Sequence, residues 1–126
     1  ESIEIYNTKE NTHTVLYGPN GEPQFKSVKG EGFPTGIMGF SDIVVTDQHI
    51  YSVFQGVHFK DKLASHQRGE KPEDGGRYIY VFDLKGNPIQ KYILDKPIYG
   101  IDVNEKTKTI IATCVESDEP IMEFKI

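Results

Sequence analysis

The sequence predicts an all-β fold made of antiparallel strands. No helical hydrophobic period is sustained over the 126 residues, whereas short runs rich in Val, Ile, Tyr, Phe and Thr recur. Gly, Pro, Asn and Asp separate these runs, as they do in proteins built from strands and turns. Hydrophobic residues make up 37% of the chain and charged residues 26%, so the side chains needed for a packed core are present. We therefore expect one folded domain.

Nine strands are predicted from the runs of β-branched and aromatic residues. The third contains Ile43 to Val45, a continuously apolar run that is typical of an inner strand packed on both faces. The sixth mixes Gln90 and Lys91 with apolar residues, which is typical of an outer strand. In order, the strands cover residues 3–7, 13–17, 39–46, 50–57, 78–83, 89–94, 99–103, 109–116 and 121–126.

The connections between these strands are of two kinds. Residues 8–12, 47–48, 85–88 and 105–108 carry turn chemistry, so the strands that flank each of them form a hairpin. Pro88 lacks a backbone N–H and can open the next strand only where no ladder donor is needed, as in an outer strand. Two connections are long, covering residues 18–37 and about 58–77, and the composition of residues 60–76 favours a flexible, solvated loop.

An internal repeat indicates which architecture these strands build. IEIYN at residues 3–7 matches IYVFD at residues 79–83, and in both cases a Lys follows two positions later and an Asn two positions beyond it. The pattern begins again at Ile121, 42 residues after Ile79. This spacing lies within the ~40 to 45 residues of a four-stranded propeller blade.

The strand count then predicts a partial β-propeller of about two to three blades. With A the innermost strand of a blade and D the outermost, the chain reads C and D, then A to D, then A to C. The predicted division is two outer strands in residues 1–19, a full blade in 36–94 and three strands in 98–126. Propellers close with about four to eight blades. The chain is therefore part of a longer propeller, part of a ring of several copies, or an open sheet.

Several segments resemble a known family. They are GFSDIVVTDQHIYSVFQG, RYIYVFDLKGNPIQKYILD, IYGIDVNEKTKTIIATC and IMEFKI, preceded by IEIYNTKENTHTVLYGP and a Gly/Pro loop. In order and in loop lengths they resemble the carboxy-terminal end of the TolB-like six-bladed β-propeller proteins, abundant in Bacteroides and its relatives. The resemblance implies a propeller fold, an exported or lipid-anchored protein of the periplasm or cell surface, and no established enzymatic role. It also implies further blades and an export signal upstream.

Charge and composition exclude several other classes of function. The net charge is −5 and no dense basic cluster is present, so nucleic acid is not an expected partner. No apolar run is long enough for a membrane span. Cys114 is the sole cysteine, so neither a disulfide within the chain nor a cysteine metal site is expected. No cofactor motif is recognised.

Strand direction assigns the candidate binding residues to the ends of the sheets. Antiparallel neighbours alternate in direction, so both long connections lie at the same end, which is the candidate binding face. His58 and His66 lie in or beside the second long connection, and Tyr99 precedes an inner strand. Asp42 and Asp102 lie near the starts of the two inner strands, where side chains can reach the axial channel of a propeller. No pattern of closely spaced carboxylates and imidazoles predicts a metal site.

These residues leave three hypotheses about function. The first is a non-catalytic binding or interaction module for a protein, glycan or small molecule, and the absence of a catalytic motif favours it. The second is a metal-dependent, lactonase-like hydrolase, in which Asp42 and Asp102 are metal ligands. These two aspartates are otherwise expected to accept hydrogen bonds from nearby backbone groups. The third is a structural fragment that pairs with other copies through its open blade edges.

Overall fold

Residues 2–126 are described by a computed structural model, and they form eleven strands and one short helix. Within these residues no helix is long and apolar enough to cross a membrane. The elements are β1 (Ser2–Asn7), β2 (Thr12–Tyr17), β3 (Phe25–Val28), β4 (Glu31–Pro34), β5 (Ile37–Val45), β6 (His49–His58), α1 (Phe59–Gln67), β7 (Gly76–Asp83), β8 (Pro88–Ile98), β9 (Ile101–Asn104), β10 (Thr109–Thr113) and β11 (Ile121–Lys125).

All the strand pairs of the described residues are antiparallel. The strands β5, β6, β7 and β8 form one four-stranded sheet in sequence order, which we call the middle sheet. The strands β9 to β11 form a three-stranded sheet, and β1 with β2 and β3 with β4 form two-stranded sheets. The predicted fold class, antiparallel all-β sheets of a partial propeller, is confirmed.

Turn chemistry fixes the hairpins as the sequence predicts. At the β7–β8 turn, one carboxylate oxygen of Asp83 accepts hydrogen bonds from the backbone N–H groups of Lys85 and Asn87. Gly86 between them has a φ of 94°, which a residue with a side chain adopts only under strain. Pro88 opens β8, an edge strand of the middle sheet, as expected for a residue without a backbone donor.

One hydrophobic core lies between the middle sheet and the sheet β9 to β11. Val53 of β6 and Ile79 of β7 stand opposite each other in the register, so their side chains point to the same face of the middle sheet. Both are fully buried there. Ile101, Ile110 and Ala112 of the neighbouring sheet belong to the same cluster of buried side chains. The burial of these apolar side chains, rather than any single hydrogen bond, stabilises the contact between the two sheets.

A second core lies on the opposite face of the middle sheet. Ile3 of β1 is buried there with Ile50 and Phe82, and Ile5 and Leu16 pack against the same cluster. Face-to-face sheets on both sides of a four-stranded sheet are the arrangement expected of consecutive propeller blades.

The strands β5 and β9, which the sequence predicts to be inner strands, lie side by side. The backbone N–H of Ile101, the first residue of β9, donates to Asp42 Oδ2 in β5 over 2.8 Å. Adjacent inner strands are what a propeller needs around its central channel.

The fold leaves much of the sheet surface uncovered. A compact monomer of 14.3 kDa exposes about 6,800 Å², whereas this chain exposes 8558 Å². A groove of about 460 Å³ runs along β1, and Ile43 and Val45 of β5 line it. They are 44% and 64% exposed. The expectation that the run Ile43 to Val45 is packed on both faces is therefore wrong, because the two-stranded sheet β1–β2 is too narrow to cover it.

The two long connections are more ordered than the sequence indicates. The segment 18–37 contains the hairpin of β3 and β4, so the predicted nine strands are an undercount. The segment 60–76 contains most of α1, so its description as a flexible loop is wrong in its first half. Both elements escape a search for hydrophobic periodicity, because nearly all of their side chains remain exposed or only partly buried.

Candidate functional site

The two long connections meet at one end of the middle sheet. Ile37 at the start of β5 pairs with His58 at the end of β6. Just beyond this pair, the backbone N–H of Phe59 donates to the carbonyl oxygen of Gly36 over 3.1 Å. The hairpin β3–β4 and the helix α1 therefore leave the sheet side by side. We call this end, with residues 18–36, 58–77 and 99–100, the long-loop face.

The hairpin β3–β4 extends from this end without a packing partner in the described part of the chain. All eight of its strand residues are exposed. Phe25 is 73% exposed and Phe33 is 43% exposed. A bond from the Thr35 N–H to the carbonyl oxygen of Gln24, 3.0 Å long, closes the base of the hairpin. Because these aromatic rings are exposed, they contribute little to folding. An isolated two-stranded hairpin is itself only marginally stable in water.

The helix α1 adds further exposed apolar side chains. None of its residues is buried, and Phe59 and Leu63 are 40% and 48% exposed. Both side chains line a small apolar hollow of about 200 Å³ together with Pro72 and His66. Asp61 lies in the first turn of the helix, where its negative charge interacts favourably with the helix dipole.

Asp74 connects the second long connection to the next sheet. Lys62 Nζ of α1 donates to Asp74 Oδ1 over 3.1 Å, and the Tyr99 hydroxyl lies beside the same carboxylate. The backbone N–H of Asp74 donates to Glu116 Oε1 over 3.2 Å. The Tyr99 hydroxyl and then the Lys62 ammonium favour the ionised carboxylate and lower the pKa of Asp74. In return the Asp74 carboxylate raises the pKa of Tyr99 to about 12.

Two glycines let the end of this connection approach the middle sheet. A Cβ on Gly75, whose φ is +106°, would lie 2.6 Å from the carbonyl oxygen of Ile98. A Cβ on Gly76 would lie 2.5 Å from the carbonyl oxygen of Phe54. Only glycine fits such close backbone contacts, so these positions determine where Asp74 and α1 are held.

The predicted histidines of this face lie in separate hollows. His58 is exposed and lines a hollow of about 170 Å³ with Asn20 and Gln24. His66 lines the apolar hollow of α1. Tyr99 is half-buried and its hydroxyl is engaged by Asp74. The long-loop face therefore brings Tyr99 and the long connection together, but it does not combine the two histidines into one site.

The two predicted aspartates bond to backbone groups of the inner strands. Asp42 Oδ1 accepts from its neighbour Ile43 N–H over 3.0 Å, and Oδ2 accepts from Ile101 N–H. Asp102 Oδ1 accepts from Val103 N–H over 2.9 Å, and its side chain lines a groove of about 490 Å³ along β5 and β9. Among residues 2–126 there is no group of three or more His, Cys, Asp or Glu side chains that could hold a metal ion.

Sequence reasoning missed several residues that shape this face. Asp74, which lies beside Tyr99 in the fold, precedes it by 25 positions and is part of a polar loop. No local sequence pattern predicts such a pair. The hairpin had a visible signal, because Phe25 and Phe33 flank Lys29 and Gly30, and both of these turn residues adopt positive φ. Short strands of four residues carry too little periodicity for that signal to outweigh the surrounding Gly and Pro.

Comparison with known proteins gives a family match. The model of a protein family described as TolB-like 6-blade propeller-like matches residues 1–106. A search of curated proteins and a search of solved structures each found no match to this chain.

Proposed function

The chain belongs to the TolB-like 6-blade propeller-like family, and we propose that it serves as a non-catalytic module of an extracytoplasmic six-bladed propeller that binds a protein through its long-loop face. Propellers hold their connecting loops on a rigid scaffold of packed sheets, which suits them to binding. We assign the chain about two to three of the blades. Residues 1–19 are two outer strands, residues 36–94 a full blade and residues 98–126 three strands of a further blade.

The groove along β1 fits this division into blades. It lies at the free edge of β1 and above the inner strand β5, where two inner strands would complete a four-stranded sheet with β1 and β2. The exposed side chains of Ile43 and Val45 would be covered by such strands. The predicted location outside the cytoplasm rests on the family alone.

The exposed aromatic side chains of the long-loop face carry the proposal. Phe25 and Phe33 lie on the hairpin and Phe59 on the helix, so two adjacent protrusions of the same face hold them. Full burial of one such side chain contributes about 1.5–3 kcal/mol, and none of the three gains that in the chain itself. Aromatic residues are enriched where proteins bind each other, which favours a protein over a glycan or small molecule.

A matched pair of double variants tests this proposal. Phe25→Ser with Phe59→Ser removes two exposed rings from the long-loop face, whereas Ile93→Ser with Ile121→Ser removes two side chains that are 72% and 69% exposed elsewhere. The parent chain, the Phe variant and the Ile control variant are each screened for binding against a displayed peptide library and a glycan array. We expect peptide ligands of the parent chain to be retained by the control variant and lost by the Phe variant. Equal retention by both variants, or ligands found on the glycan array alone, would overturn the proposal.

We also propose that copies of the chain pair through open strand edges. In the described residues β1 is bonded to β2 alone and β11 to β10 alone, so each has one edge of free N–H and C=O groups. Light scattering over a concentration series would show a mass that rises to a discrete oligomer. A constant monomer mass at every concentration would contradict pairing.

A further inference from the structure

A cluster of four hydrogen-bonding side chains lies at the end of the sheets opposite the long-loop face. His49 opens β6 just after the β5–β6 turn, and Glu105 opens the β9–β10 turn of the neighbouring sheet. His49 Nδ1 lies 2.5 Å from Glu105 Oε1, and the Tyr51 hydroxyl donates to the same oxygen over 3.0 Å. The backbone N–H of His49 also donates to Thr46 Oγ1 over 2.9 Å. The cluster therefore joins two sheets through one carboxylate.

The carboxylate fixes which nitrogen of His49 is available. An ionised carboxylate only accepts hydrogen bonds, so Nδ1 carries a proton and Nε2 is the ring nitrogen left to face a ligand. The bonds from His49 and then Tyr51 lower the pKa of Glu105, which keeps it ionised at neutral pH. No hydrogen-bond partner of Nε2 occurs among residues 2–126. The ring also packs edge-on against Tyr51, with centroids 6.1 Å apart, so its orientation is set from two sides.

A groove of about 310 Å³ adjoins this ring. Tyr51, Tyr92 and Ile126 form its apolar walls, and Gln48 and Lys108 add polar groups. Small-molecule sites have this combination of apolar walls and a few placed polar groups, and the volume lies at the lower end of their range. A carboxylate that orients an imidazole through its second nitrogen is the support that histidines in binding and catalytic sites commonly have.

We propose that this groove binds a small aromatic hydroxy acid. Its hydroxyl donates to His49 Nε2, its ring lies against Tyr92, and its carboxylate pairs with the ammonium of Lys108. The proposal concerns a different end of the molecule from the protein-binding face and does not depend on it. Glu105 acts here as a positioning residue, because its carboxylate holds the imidazole through Nδ1, while the ring of Tyr51 forms part of the groove wall.

The probe for this site is 4-hydroxybenzoate, added to the intact chain with its histidine rings labelled with ¹⁵N. We expect saturable binding that shifts the Nε2 resonance of His49 and leaves the ring of His13, which stacks on Tyr6 outside the groove, unchanged. Benzoate lacks the hydroxyl donor and should bind about tenfold more weakly, the effect of losing one hydrogen bond. Lys108→Gln should weaken 4-hydroxybenzoate by a similar factor.

Two variants separate ligand binding from a purely structural role of the cluster. Glu105→Gln replaces the carboxylate by an amide, which can either accept from Nδ1 or donate to it, so the ring tautomer is no longer fixed. Binding should therefore weaken even at temperatures where circular dichroism shows the variant to be folded. The exposed Lys108→Gln provides the same test without touching the contact between sheets. Failure of 4-hydroxybenzoate to shift the His49 resonance would overturn the proposal. So would benzoate binding as tightly as 4-hydroxybenzoate, together with a Lys108→Gln variant that binds 4-hydroxybenzoate as tightly as the parent chain.

Discussion

Two neighbouring isoleucines of β10 allow a quantitative test of how the sheets pack. Ile110 is 1% exposed and belongs to the core between β9 to β11 and the middle sheet, whereas Ile111 points to the opposite face and is 47% exposed. Both have the same side chain, strand and backbone environment. Replacing each with Ala therefore isolates the contribution of the contact between sheets.

The magnitude follows from the burial of each side chain. An Ile→Ala change at a fully buried position costs about 2–5 kcal/mol, of which the cavity left behind is a large part. For Ile110 we expect about 3–4 kcal/mol, because its site is closed on all sides. For Ile111, half-exposed and facing solvent, we expect about 1 kcal/mol, since part of the transfer free energy and no closed cavity is involved.

Urea unfolding monitored by circular dichroism measures both values. In thermal unfolding, Ile110→Ala should lower the midpoint by about 10–15 °C and Ile111→Ala by about 3–5 °C. Equal losses in the two variants, or the larger loss in Ile111→Ala, would refute the assignment of faces. Either result would mean that the sheet β9 to β11 presents its other face to the middle sheet or does not pack on it.

Three further predictions concern the connections between sheets. Gly76→Ala should lower the free energy of unfolding in urea by at least about 2 kcal/mol, because the new Cβ meets a carbonyl oxygen of β6. In the control Gly32→Ala the nearest atom to the new Cβ is 3.9 Å away, so stability should change little. Equal effects of the two changes would contradict the close approach at Gly76. Asp42→Ala should speed hydrogen exchange of the Ile101 amide, the donor to its carboxylate; an unchanged rate would contradict that bond. The pKa of Tyr99 is raised to about 12, above the ordinary value near 10, so its contribution to stability is complete below pH 10 and is lost as the pH rises towards 12. Tyr99→Phe should reduce this loss in denaturant titrations, and an identical pH profile would contradict it.

The sheets could be predicted from the sequence because their signals are local. The strand β7 alternates buried Ile79 and Val81 with less buried neighbours, a period of two that one sequence displays directly. The turn at Gly86 and the edge position of Pro88 depend on the chemistry of single residues. The repeat of Ile79 and Ile121 then indicated propeller blades, and the family match supports that fold.

The binding face could not be predicted to the same depth because its contacts are not local. α1 buries none of its residues and is held by pairs such as Lys62 with Asp74, so no apolar stripe indicates it. The bond between His49 and Glu105 spans 56 positions and depends on the packing of two sheets. Sequence spacing predicts which end of the sheets a loop occupies, but side-chain pairs of this kind emerge only from the tertiary fold.

The middle sheet packs between the sheet β1–β2 on one face and the sheet β9 to β11 on the other, and this packing supports the long-loop face. Nuclear Overhauser contacts between methyl groups test this arrangement. We predict contacts of Ile110 with Val53 or Ile79 across one core, and of Ile3 with Ile50 across the other. Contacts confined to strands within a single sheet would contradict the account.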